Sequence, residues 1–409
     1  MQEVSARSPI GRLVAARSLN SFGRSIISST VLWELFKRTD DPYVIAGVGI
    51  VQVLPVVLLF VPVGELVDRS DRRTLTTAAA MLAGGIGLGL AAASFFAVPV
   101  AVYFTLLLAF GCVTAVHAPA SVSLIPLIIP RDDLVRTNRI SSSLQEVATI
   151  SGPALSGLAL KLVDPHWVYS FVALTGIASG TLYRALPKPR ATQQGPTAAA
   201  ARKDWRTGLR FIFNSPLLLP ALTLDMFAVL FAGVTALLPV VALKILHTDA
   251  FGYGLLRAAQ SVGAVLMAVI GGRLSPWKRP GRVLLIVVAL FGAATMAFGL
   301  STSLPLSVGL LVVCGALDNI SVVIRLTLEQ MVVPDAIRGR VSSVHFVFIG
   351  MSNELGAAES GVAAGLLGTI PAIVVGGALA IGVVGVVTVK WRELAKMPPL
   401  HELKPADSA

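Results

Sequence analysis

Residues 43–62 read "YVIAGVGIVQVLPVVLLFVP" and contain no charged side chain. A helix needs about twenty apolar residues to cross the hydrocarbon of a bilayer, and stretches of this kind recur along the whole chain. Lipid offers the backbone no hydrogen-bond partners, so such runs must be helical. Measured with that ruler, spans are expected at 12–35, 43–63, 74–95, 99–128, 136–162, 166–186, 217–243, 250–272, 282–300, 304–330, 341–368 and 370–390. The first carries Arg17 and Arg24, and the fifth starts on the polar "RTNRISSSLQEV". Both read as amphipathic helices lining a polar interior.

Composition excludes a soluble fold. Hydrophobic residues make up 55% of the chain and charged residues 13%, against about 25% charged in soluble domains. The net charge of +11 does not point to nucleic acid, because the basic residues punctuate the apolar runs instead of gathering on one face. Links after even-numbered spans hold most of them, among them Arg69, Arg72, Arg73, Arg131, Lys188, Arg206, Lys278 and Arg338, while the opposite links hold little beyond Lys37, Arg38 and Lys244. That asymmetry places the even links and both termini in the cytoplasm. No signal peptide is expected from the N-terminal residues. Cys112 and Cys314 lie within apolar runs and read as packing residues, with no disulfide, metal site or cofactor expected.

The longest link, 186–216, follows six spans and divides the chain into a bundle at 1–186, a linker at 187–216, a second bundle at 217–390 and a tail at 391–409. The halves echo each other. A shift of 208 residues superposes Gln52 on Gln260, Gly64 on Gly272 and Leu66 on Leu274, and "IPRDDLVRTNRISS" (129–142) matches "VPDAIRGRVSS" (333–343). Parallel six-helix repeats around a central site are an alternating-access architecture. The expected fold class is an all-α membrane protein with twelve transmembrane helices in two pseudo-symmetric bundles.

Charge is concentrated at 63–73, "VGELVDRSDRR". Gly64 would let two helices approach closely. Asp68 would cap a helix N-terminus or pair with an arginine, latching a cytoplasmic gate formed with Leu66, Arg69, Arg72 and Arg73. The stretch resembles the loop signature G-x-L-a-D-R-x-G-R-R between helices 2 and 3 of the major facilitator superfamily, with Asp71 where that pattern has Gly. "RGRVSSVHFVFIGMSNELGAAESGVAAGLLG" (338–368) resembles the superfamily's siderophore-exporter and multidrug-efflux subgroup. "SGPALSG" (151–157) resembles the antiporter signature of its fifth helix, which implies a hinge at Gly152, Pro153 and Gly157 and favours export.

Ionisable residues at membrane depth are expensive and mark function. Asp225, Glu354 and Asp318 are the proton-coupling candidates; Asp318 reads equally well as an ion pair with Arg325, and Arg325–Glu329 as a structural pair. Glu359 is a weaker candidate, and His117 and His345 could relay protons. Asn20, Arg24, Gln52, Phe227, Gln260 and Asn353 are the cavity candidates, with further aromatics at Phe22, Trp33, Phe231, Phe346 and Phe348. No HExxH, Gly-x-Ser-x-Gly, Walker loop or metal-ligand cluster occurs, so no enzyme is expected. The reading is a monomeric, proton-coupled antiporter in a bacterial inner membrane, exporting a small amphipathic molecule such as a siderophore or drug. The alternatives are an uptake carrier for a small metabolite or a non-transporting sensor of the same fold.

Overall fold

A computed structural model describes residues 8–187, 205–271 and 277–403. Those residues form helices and no strands. The long helices are α1 (Pro9–Thr39), α2 (Pro42–Arg69), α3 (Arg72–Phe95), α4 (Val100–Ile128), α5 (Arg131–Leu162), α6 (Pro165–Arg184), α8 (Leu218–Ala232), α9 (Ala250–Gly271), α10 (Pro280–Leu300), α11 (Leu304–Val332), α12 (Asp335–Leu367) and α13 (Thr369–Lys390), and the shorter α7 (Trp205–Asn214) precedes α8. Eight described helices are long and apolar enough to cross a membrane: α2, α3, α4, α8 with its extension to Ile245, α9, α10, α11 and α13. The other four long helices carry more polar residues.

Local signals explain several boundaries. Ser8 caps α1 by accepting from the Gly11 amide at 3.0 Å, with Pro9 in the first turn, where a missing N–H costs nothing. α8 breaks after Ala232 into a 3₁₀ turn and then a π turn at Val241–Ile245. The predicted span 217–243 is therefore not one regular helix. Thr295 donates to the Ala232 carbonyl at 3.5 Å, meeting part of the need of a carbonyl that the break leaves without its helical donor.

The chain forms two compact units. Unit 1 comprises the described residues of Met1–Asp40, Val51–Gln194 and Asp249–Ala258; unit 2 comprises those of Asp41–Ile50, Gly195–Thr248 and Ala259–Ala409. In unit 1, α3 packs on α6 and α4, and α1 on α5 and α6. In unit 2, α10 packs on α13 and α11, and α8 on α12 and α13. These four pairings correspond one to one, so the repeat glimpsed in the sequence is a repeat of packing. Both units use the same device at the α3–α6 and α10–α13 crossings. A Cβ on Gly176 would meet Gly84 Cα at 2.7 Å, and a Cβ on Gly377 would meet Gly292 O at 2.6 Å. Small residues let backbones touch where lipid supplies no hydrophobic drive between helices.

Candidate functional site

In unit 2, α8 carries Asp225 and α11 carries Arg325, which are 6% and 4% exposed. The guanidinium is ion-paired with Asp225 Oδ1 and donates from Nη1 to Ser321 Oγ at 3.1 Å, one turn back on α11. Asp318, seven residues before Arg325, is exposed and lines a small cavity with Asp225, Arg325, Val287, Phe291 and Leu317. The expected Asp318–Arg325 pair is thus replaced by Asp225–Arg325, because the α8–α11 crossing brings Asp225 closer than same-helix spacing allows. The expected Arg325–Glu329 pair is also replaced. Glu329 Oε2 lies 2.5 Å from His345 Nδ1, and Glu329 accepts from the Ser342 hydroxyl, both on α12. His345 is held in that buried contact. Two carboxyl groups face one guanidinium at the α8–α11 site, so the group is electrically neutral only with one proton aboard.

Other candidates fall in several places. Gln260 accepts from Thr235 Oγ1 at 3.0 Å, beside the broken end of α8. Phe227 stacks on Phe231, ring centroids 5.8 Å apart. Asn353 is exposed and donates to the Ile349 carbonyl of its own helix. Glu354 and Gln52 are half-buried. The structure gathers none of these with Asp225, Asp318 and Arg325 around the α8–α11 cavity.

In unit 1, Asn20, Arg24 and His117 line a small cleft between α1, α3, α4 and α6. Arg17, about two turns from Arg24 towards the start of α1, donates to Ser141 Oγ at 3.0 Å and Ser121 Oγ at 3.3 Å. Arg17 was legible only as a sign of amphipathicity, although a charge inside a predicted span is the signal that marks it. Glu34 carries no motif that marks it in the sequence. It is 5% exposed, and its Oε1 accepts from Ser94 Oγ and Tyr103 OH, both at 2.8 Å, with Arg38 Nη1 at 3.5 Å. The i,i+4 spacing of Glu34 and Arg38 was the available clue.

The charged link behaves differently from expectation. Asp71, not Asp68, caps α3, accepting from the amides of Arg73 at 3.4 Å and Thr74 at 3.2 Å. The Thr74 hydroxyl bond, at 2.5 Å, is the main cause that holds its carboxyl below the usual range. The residue that departs from the superfamily signature therefore supplies the cap. Arg73 donates to the carbonyls of Tyr183 and Arg184, at the C-terminal end of α6, where helix carbonyls lack donors. A Cβ at Gly64 would meet nothing described within 4 Å, so no close approach to a described residue requires that glycine. Leu66 is 44% exposed, and Arg69 and Arg72 lie at the α2–α3 link. The Asp68 side chain lies outside the description.

α5 runs unbroken through Pro153. Its glycines lie at close contacts. A Cβ on Gly152 would meet Ser25 Cβ at 2.8 Å, and one on Gly157 would strike Gly254 Cα. Beside the second contact, Lys161 Nζ lies 2.9 Å from Asp249 Oδ2. That hydrogen bond is the main cause that holds the Asp249 carboxyl below its ordinary value.

Similarity to known proteins agrees with this arrangement. The Enterobactin exporter EntS of Citrobacter koseri is 27% identical over 288 residues, 69% of this chain and 67% of that protein. Macrolide efflux protein A of Streptococcus pyogenes is 22% identical over 314 residues, 75% of this chain and 76% of that one. Among solved structures, a bacterial homolog to the human lysosomal transporter Spinster superposes with a TM-score of 0.70 at 15% identity, covering 96% of each chain. A bacterial homologue of the iron transporter ferroportin gives 0.70 at 15% identity, over 97% of this chain and 100% of that one. The Major Facilitator Superfamily profile matches residues 13–357. A membrane transporter and not an enzyme, this chain belongs to the Major Facilitator Superfamily.

Proposed function

We propose that the protein is a proton-coupled antiporter that exports a small amphipathic organic molecule across a bacterial inner membrane by alternating access. In this reading the twelve long helices cross the bilayer, the short α7 does not, and both termini are cytoplasmic, in line with the basic residues of the even links. The protein works as a monomer.

The observation that carries the coupling is the α8–α11 group. Asp225 is committed to Arg325 in the interior, while Asp318 stands beside them in the same cavity. A carboxyl next to a buried ion pair can take up a proton when the pair stays closed and release it when Arg325 turns towards it. The names of the efflux relatives support export, as does the Gly152–Pro153 resemblance. Glu354 remains a coupling candidate on α12.

The test uses inside-out vesicles bearing an imposed pH gradient. Candidate siderophores and lipophilic drugs are added, and gradient-driven accumulation is followed for wild type, Asp225→Asn, Asp318→Asn and Glu354→Gln. Accumulation abolished by a protonophore and by Asp318→Asn supports the proposal. Accumulation that continues at full rate without any gradient removes proton coupling.

A further inference from the structure

In unit 2, the first turn of α10 and the last turn of α13 carry a concentration of cations. Lys278, Arg279 and Arg282 lie at the start of α10, Lys390 closes α13, and Arg392 and Lys396 follow on the tail; all six are exposed. None of the six is in an ion pair among the described residues.

The tail folds back to make one surface of them. A short helix, Arg392–Ala395, packs on α10 and α13. Leu394 and Met397 are buried, in the same apolar cluster as Leu284 of α10 and Val387 of α13. Arg282 Nε donates to the Ala395 carbonyl at 3.3 Å, and a Cβ on Gly281 would strike the Leu394 carbonyl. Acids do not balance this surface. α10 and α13 contain none. The tail brings Glu393 and Glu402, the second 3.8 Å from His401. α11, against which residues 400–402 pack, brings Asp318 and Glu329, which belong to the Arg325 cavity and to the Ser342–His345 contacts.

Beside the cations the helices turn apolar side chains outward. Ile286 and Leu290 follow Arg282 at one-turn intervals on α10 and are 57% and 50% exposed; Val386 and Val389, in the turn before Lys390 on α13, are 62% and 71% exposed. Residues three and four apart share a helix face, so each helix presents an apolar strip that ends in positive charge. Trp391, with Lys390 Nζ 4.5 Å from its ring centroid, sits where the strip meets the charge, as aromatic side chains do at a membrane–water boundary. Such a surface matches an amphiphile that has acyl chains and an anionic head, and clusters of about four to eight Lys and Arg beside a membrane helix attract anionic lipid.

We propose that this end of α10 and α13, with the tail to Lys396, is a docking surface for anionic phospholipid: the phosphate head at Arg282, Lys390, Arg392 and Lys396, and the acyl chains along Ile286, Leu290, Val386 and Val389. Orientation in the bilayer needs only basic links; a tail pinned to α10 by two buried side chains and a hydrogen bond gives the cations a fixed surface. The surface requires a bilayer and neither a transported molecule nor a coupled proton, so its test is independent of the antiport reading.

Purified full-length protein in dodecyl maltoside is unfolded thermally with added dioleoyl-phosphatidylglycerol or dioleoyl-phosphatidylcholine, which share their chains and differ in head-group charge. The midpoint shift against lipid concentration gives an apparent affinity for each. In about 0.1 M salt the anionic lipid should bind about tenfold or more tighter, and the preference should shrink in about 1 M salt, where charges are screened. Glycerol 3-phosphate, a head without chains, should produce no shift at the same concentrations. The triple variant Lys390→Gln, Arg392→Gln, Lys396→Gln should lose most of the preference. Lys390→Arg with Lys396→Arg should keep it, and so should Lys37→Gln on an opposite link. Equal affinity of wild type for the two lipids, or a preference that survives the triple variant, overturns the assignment; a glycerol 3-phosphate shift equal to that of the anionic lipid overturns its acyl-chain part. Should the triple variant fail to fold, Arg392→Gln alone should lower the preference, and an unchanged preference there overturns the assignment.

Discussion

Arg325 is ion-paired with Asp225 across two helices, while Asp318, on its own helix, stands beside the pair. Arg325 thus has a second carboxyl within the same cavity. Removing either acid singly should leave the guanidinium a counter-ion; removing both should not. Asp225→Asn and Asp318→Asn are expected to cost little stability alone, and the double variant to lose about 3–5 kcal/mol, the scale for a buried charge deprived of its partner. A double-mutant cycle on detergent thermal unfolding measures the excess over additivity.

The Glu329–His345 contact should behave as a buried pair that holds α11 to α12. Glu329→Ala strips both the ring and the Ser342 hydroxyl of their acceptor, and is expected to destabilise by roughly 1–3 kcal/mol per group left unsatisfied. Glu329→Gln, which keeps an acceptor oxygen, should recover most of that loss in the same unfolding assay.

Asp71 and Asp249 set an acid-side dependence. Each carboxyl titrates below its free value when folded, so each contributes stability above the unfolded value near pH 4. That contribution fades as pH falls through the depressed folded value. Asp71→Ala should cost about 1 kcal/mol through the lost α3 cap, and should flatten the dependence at acid pH. Asp249→Asn should cost less than about 1 kcal/mol, since the Lys161 pair is half exposed. Unfolding midpoints measured from pH 3 to 7 compare the three proteins.

Gly157→Ala places a methyl where it would strike Gly254 Cα. Forced separation of α5 and α9 is expected to cost about 1–3 kcal/mol as overpacking and to slow transport. Gly64→Ala, with nothing described nearby, should leave stability within about 0.5 kcal/mol of wild type.

Helix positions were legible because lipid forces apolar runs of fixed length into helices, and the half-repeat was legible because Gln52/Gln260 and the 129–142 and 333–343 echoes keep their spacing. Pairing between helices was not. Arg325 and Asp318 share a face of one helix, which suggested a pair, but which acid wins depends on where α8 crosses α11. Asp71 was passed over because the superfamily pattern drew attention to Asp68, although an Asp directly before a helix is an N-cap signal. Glu34 was hidden in a span otherwise judged by its arginines. Its partners Ser94 and Tyr103 are 60 and 69 residues away, beyond any local pattern.

The central claim is that Asp318, poised beside the Asp225–Arg325 pair, carries the coupled proton. The direct measurement compares two activities of Asp318→Asn in the same vesicles: accumulation driven by a pH gradient, and exchange of labelled for unlabelled substrate with no gradient. The account predicts that exchange persists near the wild-type rate while gradient-driven accumulation is lost. Gradient-driven accumulation at the wild-type rate in Asp318→Asn, or equal loss of both activities in a folded variant, would contradict it.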